Sequence, residues 1–239
     1  MQRIIFFLFA SMFFVISAKA QIVGGDVTYL ASYKEELPYF QELITGGQYV
    51  EARKTIEGHP FHFSRQFGDG RLMINGITYP GVPLMYDIYK DQVITFHPIY
   101  NQRILINPDK IDEFSLSNGE RFKYLEGNES YSNNSNGLYQ VLNDGENLVL
   151  LKRFKATKSN RDISIYTDEF VEKNDFFIWK SGIFNQINKS KQAFEVLGLD
   201  KKTVNKYLKE RKIRFQDTPE KYLITLVELA SQNPLTKTK

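Results

Sequence analysis

The chain has no cysteine and only three histidines in 239 residues. Without cysteine there are no disulfides, thiolate metal sites, cysteine nucleophiles or lipid-modified amino-terminal cysteines. Nucleophilic triads need a histidine base, which leaves His59, His62 and His97 as the available imidazoles. The sequence also has no Gly-x-Ser-x-Gly elbow, no Gly-x-x-x-x-Gly-Lys phosphate loop and no Gly-x-Gly-x-x-Gly fingerprint. Ile22-Val23-Gly24-Gly25 matches the processed amino terminus of chymotrypsin-like proteases, but no Gly-Asp-Ser-Gly-Gly segment accompanies it. No cofactor and no metal site is expected.

The first twenty residues read as an export signal. Arg3 supplies the positive start, residues 4–16 form a run of 13 without a charge, and Ser17-Ala18-Lys19-Ala20 supplies small residues at a peptidase site. Spanning a bilayer takes roughly 20 apolar residues, so the run is expected to be cleaved between Ala20 and Gln21. No second run of spanning length follows, and the mature chain is expected to carry no integral membrane segment. Removing Arg3 and Lys19 from the 31 basic residues leaves 29 against 28 acidic, a net charge of +1. A near-neutral chain is not a general nucleic-acid binder.

Periodicity divides the remainder. Residues 21–62 carry weak signals broken by Gly46-Gly47 and Gly58-His59-Pro60. Residues 63–187 are short β-rich runs punctuated by Asn75-Gly76, Lys90-Asp91, Asn118-Gly119, Asp144-Gly145 and Ser181-Gly182. Tight turns between consecutive strands force antiparallel neighbours. Residues 127–137, rich in Asn and Ser, read as a mobile loop, and residues 155–161 as a flexible basic stretch. From 188 to 233 the period becomes helical, with stops and starts at Gly198, Asp200 and Thr218-Pro219-Glu220. Residues 234–239 are expected to be a disordered tail. The expected class is α+β: a largely antiparallel β-meander followed by a small unit of three short helices.

Two clusters are candidate ligand sites. A three-residue turn over Lys90-Asp91-Gln92 would set Asp87 and Tyr89 beside His97 on an outer sheet face. Such a group suits a polar ligand or acid–base work. The second cluster is basic. Residues 189–214 hold nine Lys/Arg and three acids, a charge of +6, which leaves −5 for the rest of the mature chain. Lys202, Lys206 and Lys209 on that stretch are candidates for anionic glycolipid, polymer or a partner protein. His59-Pro60-Phe61-His62 lacks metal-ligand spacing and reads as loop histidines.

The stretch Gly70-Arg71-Leu72-Met73-Ile74-Asn75-Gly76, then Tyr79 and Val82-Pro83-Leu84-Met85-Tyr86-Asp87-Ile88-Tyr89-Lys90-Asp91, resembles a group of uncharacterised exported proteins of Bacteroidota. Phe176-Phe177-Ile178-Trp179-Lys180 and residues 201–226 resemble the carboxyl end of that group. The resemblance spans roughly 63–230 and implies a Gram-negative envelope location without implying an activity. The expectation is therefore an exported, non-catalytic accessory or binding protein of the periplasm or cell surface. Its partner would be a protein or an envelope polymer, not nucleic acid. The alternatives are an exported hydrolase of envelope glycan or peptide working through Asp87, Tyr89 and His97, and an anionic-component binder working through the basic helix 200–214.

Overall fold

The computed structural model describes residues 41–232, apart from 53–54, 98–99, 134–135 and 160–164. The expected signal peptide, the cleavage between Ala20 and Gln21, residues 21–40 and the tail 234–239 lie outside the described residues.

Glycine-bearing turns set the sheet. Asn75 and Gly76, both at positive φ (50° and 76°), close the hairpin between β2 (Gly68–Ile74) and β3 (Ile77–Asp87). This is the conformation a two-residue hairpin requires. β3 runs straight through Pro80-Gly81 because a bulge opposite Gly70-Arg71 absorbs one residue, with Gly81 at φ 64°. The meander continues through β4 (Gln92–His97), β5 (Gln102–Leu105), β6 (Ile111–Ser115), β7 (Arg121–Tyr124) and β8 (Leu138–Val141). It ends in β9 (Leu148–Ser159), β10 (Asp168–Lys180) and β11 (Ile183–Gln186). With β1 (Ile56–Glu57) these make an eleven-stranded sheet in the order β1-β10-β9-β8-β7-β6-β2-β3-β4-β5, with β11 also on β10.

The class is α+β and the sheet is largely antiparallel, as expected, the two-residue β1 alone pairing in parallel, with β10. Two local readings change. β9 extends to Ser159, and residues 155–159, expected to be a flexible basic stretch, form a ladder with Asp168–Glu172. There Lys158 meets Glu169 at 3.2 Å, an opposite-charge cross-strand pair. Second, the described residues of 127–137 are tied down, not loose. Asn128 donates to the Tyr139 hydroxyl (2.7 Å), the Tyr131 hydroxyl donates to Asp175 (2.5 Å), and the Asn136 backbone N–H donates to Asp91 (2.8 Å). The same polar composition that suggests solvation satisfies buried groups here.

Three helices follow: α1 (Ser190–Leu197), α2 (Lys201–Glu210) and α3 (Pro219–Gln232). Gly198 ends α1 in the left-handed region at φ 68°, where a side chain would be strained. Asp200 caps α2, accepting from the Thr203 backbone N–H (2.9 Å) and hydroxyl (2.7 Å). At α3 the Thr218 hydroxyl donates back to the Arg214 carbonyl at 3.3 Å. The apolar stripes of the three helices meet Val149, Ile178 and Ile187 of the sheet side in one buried cluster. The helical unit is thus packed on β9 and β10, and no helix of the described residues is long and apolar enough to cross a membrane. Asp200→Ala removes the α2 cap, and the expected loss is about 1 kcal/mol, seen as a melting temperature lower by about 2–4 °C. An unchanged melting curve would mean α2 is held by packing alone.

A second core lies under β2, β3, β4, β6 and β7, with Tyr86, Phe114 and Phe122 in mutual ring contact at its centre. The other side of β3 and β4 is covered by the amino-terminal segment: Tyr49 and Phe61 bury Met85 and Ile94.

Candidate functional site

The β3–β4 hairpin has a different register from the expected one. Met85 lies opposite Ile94, Tyr86 opposite Val93 and Asp87 opposite Gln92, so the connection is residues 88–91. The pairing is displaced by an odd number of residues, which exchanges the faces of the two strands relative to one another. Asp87 therefore shares the Met85/Ile94 face, which Tyr49 and Phe61 cover, and it is fully buried rather than outward. Its carboxylate accepts from the Tyr49 hydroxyl (2.6 Å) and from the backbone N–H groups of Tyr89 (2.9 Å) and Lys90 (2.8 Å). Burial pushes its pKa up, against the lowering effect of those hydrogen bonds. His97 is five residues beyond Gln92 on β4, about 16 Å along a strand, and on the alternate face. Its Nδ1 accepts from the Tyr100 N–H at 3.3 Å. Tyr89 is half-exposed and packs edge-on against Phe170 at 5.2 Å. Asp87, Tyr89 and His97 thus form no joint acid–base site.

Asp91 is the hairpin's other carboxylate, and sequence reasoning gave it no role. It sits at φ 57°, with its side chain 5 % exposed, and its Oδ2 is 2.7 Å from Nζ of Lys152, itself 1 % exposed. The Tyr86 hydroxyl donates to its Oδ1 at 2.5 Å. Lys152 also donates to the Leu138 carbonyl (2.8 Å) and lies 5.4 Å over the Tyr139 ring. Burial pulls the Lys152 ammonium's pKa down against the opposing effect of Asp91.

A third cluster joins sheet and helices. His62 Nε2 and Glu120 Oε2 are 2.5 Å apart, and Arg153 lies 3.7 Å from Glu120 and 3.3 Å from Glu220 in the first turn of α3. The hydrogen bond from His62 is the chief reason the Glu120 pKa is held down to about 2. Among the described residues, His62 Nδ1 is buried without a hydrogen-bond partner.

The concave feature of the helical unit lies where β10, α1, α2 and α3 meet. It is a groove of about 820 Å³. Lys189, Lys209, Lys212 and Arg214 stand around it, all exposed, with Phe215 and Tyr222 among its lining. None of the four cations makes an ion pair among the described residues, whereas Asp175, the one carboxylate lining the groove, is engaged by Tyr131. Ser190 of α1 and Pro219 of α3, each the first residue of its helix, also line it, and helix amino termini favour negative charge. Of the three sequence candidates, Lys209 lines the groove, while Lys202 and Lys206 are exposed on α2 away from its lining. Lys189, Lys212 and Arg214 lie within the same +6 stretch. Periodicity along α2 cannot reveal them, because they come from the segments that flank it.

Fold and groove together define an α+β protein with a cationic groove between its sheet and a three-helix cap. No family model, no curated protein and no solved structure matches this chain.

Proposed function

We propose that this is an exported, non-catalytic binding or accessory protein of the Gram-negative envelope, periplasmic or at the cell surface. In this reading the groove takes an anionic group of an envelope glycan. The observation that carries the proposal is the set of four cations around a concave groove, none ion-paired among the described residues. The export-type first twenty residues supply the compartment. A groove with aromatic rings in its lining favours an inserted anionic sugar over a flat membrane surface. The exposed large apolar residues among those described, such as Phe63, Tyr100 and Ile183, all lie outside 189–232.

Mature protein should be retained on an immobilised phosphate- or carboxylate-bearing glycan and released as salt is raised. A basic residue near an anionic surface contributes about 1 kcal/mol, so Lys209→Ala with Lys212→Ala should weaken retention about thirtyfold. Lys202→Ala with Lys206→Ala should change it little. Equal losses from both pairs would reduce the effect to diffuse charge, and salt-independent non-binding would remove the reading. Hydrolysis of an envelope glycan or peptide by the purified protein would replace it with the hydrolase.

A further inference from the structure

We propose that Lys152 and Asp91 are joined in the mature protein by an intramolecular amide bond, from Nζ of Lys152 to Cγ of Asp91. The two groups are already in place: the nitrogen is 2.7 Å from Oδ2, and both side chains are excluded from water. Both are also held from behind. Lys152 is oriented by the Leu138 carbonyl at 2.8 Å and the face of Tyr139. Asp91 is gripped by Tyr86 on Oδ1 (2.5 Å) and by the Asn136 N–H on Oδ2 (2.8 Å). The Asn136 side chain adds a hydrogen bond to the Asp91 carbonyl at 2.6 Å. Reactants fixed in this way reach effective molarities of about 10⁵–10⁸ M, which offsets the preference of water for the separated acid and amine.

The step balances without a cofactor. The ammonium passes a proton to Oδ2, giving a neutral amine and a carboxylic acid. The nitrogen lone pair then forms the N–C bond at Cγ, and the negative charge that develops on Oδ1 meets the Tyr86 hydroxyl. The Cγ–Oδ2 bond breaks, and Oδ2 leaves as water, carrying its own proton and one from nitrogen. Ammonium plus carboxylate become amide plus water. Nothing is oxidised or reduced. Two features favour this direction: burial disfavours the charged form of Lys152, and condensation removes two buried charges at once. Solvent is also kept from reversing the reaction.

The bond would tie the β3–β4 turn to β9 and close a ring containing residues 91–152. In a chain with no cysteine it would take the place of a disulfide.

The test is the intact mass of the wild-type protein under denaturing conditions. The expected mass is one water below that of the linear mature chain, and a digest should yield a branched peptide uniting the segments around 91 and 152. Lys152→Arg should restore the full mass. Asp91→Asn, if it still reacts, should lose ammonia in place of water. A wild-type chain at full mass overturns the proposal whatever the variants do. So does a water loss that survives in Lys152→Arg or maps to the Asp-Gly steps at Asp69 or Asp144. Cyclisation of Gln21 releases ammonia and maps to a different peptide.

Discussion

Lys152→Met should destabilise the protein by about 3–5 kcal/mol, the loss expected when one partner of a buried ion pair is removed. The size follows from what remains. Asp91 would keep its negative charge with 5 % of its side chain exposed. Tyr86 and the Asn136 N–H satisfy two of its lone pairs but supply no countercharge. Removing both charges is expected to be milder. Lys152→Met with Asp91→Asn keeps an acceptor for Tyr86 and should recover more than half of the loss. Urea midpoints of the wild type, both single variants and the double variant give the coupling directly. A coupling below about 1 kcal/mol would mean the pair is no stronger than a surface ion pair. A covalent link between the two residues would add to the loss in Lys152→Met and would leave the double variant short of full recovery.

This pair also marks where the sequence stops being readable. Asn75-Gly76, Asn118-Gly119 and Ser181-Gly182 announce their hairpins because a turn's chemistry resides in the turn itself, and all three join adjacent paired strands. Gly198 and Asp200 announce helix ends for the same reason. The β3–β4 register is not local. It is decided by Tyr49 and Phe61, 38 and 26 residues before Asp87, which bury the face that Asp87 shares, with the Tyr49 hydroxyl also donating to its carboxylate. With that cover unknown, the alternation of residues 82–89 fits an outward Asp87 equally well. Lys152 reads as one more polar residue at the end of an apolar run, and its partner lies 61 residues earlier in a turn. β1 has two residues and no pattern to detect. For the groove, the charge excess at 189–214 is plain in the sequence. Which cations face the cavity depends on how α1 and α3 pack against α2.

The acid limb of stability tests the third cluster. Glu120 has its pKa pulled from 4.5 to about 2, first by the hydrogen bond from His62 and further by Asn118 and the nearby charges of His62 and Arg153, with burial opposing. A carboxylate depressed in the folded state stabilises the fold fully above its unfolded pKa and progressively less as pH falls through its folded pKa. The window is therefore pH 4.5 down to about 2. A shift of that size corresponds to about 3 kcal/mol, reduced somewhat because the side chain is 24 % exposed. Glu120→Gln should lose about 2–3 kcal/mol at neutral pH, and its stability curve should converge with that of the wild type by about pH 2. Asp87 acts in the opposite sense. Burial raises its pKa, so its contribution to stability is present at low pH and lost as pH rises. Because Asp87 is common to both proteins, it cancels in the difference between the two curves. Convergence in acid therefore reports Glu120 alone, whereas parallel curves would mean that the contact with His62 is a packing contact without electrostatic weight. Arg153 bridges Glu120 to Glu220 at the start of α3. Loss of the Glu120 charge should for that reason appear first in exchange of the amide hydrogens at the amino end of α3, ahead of those in β2 and β3.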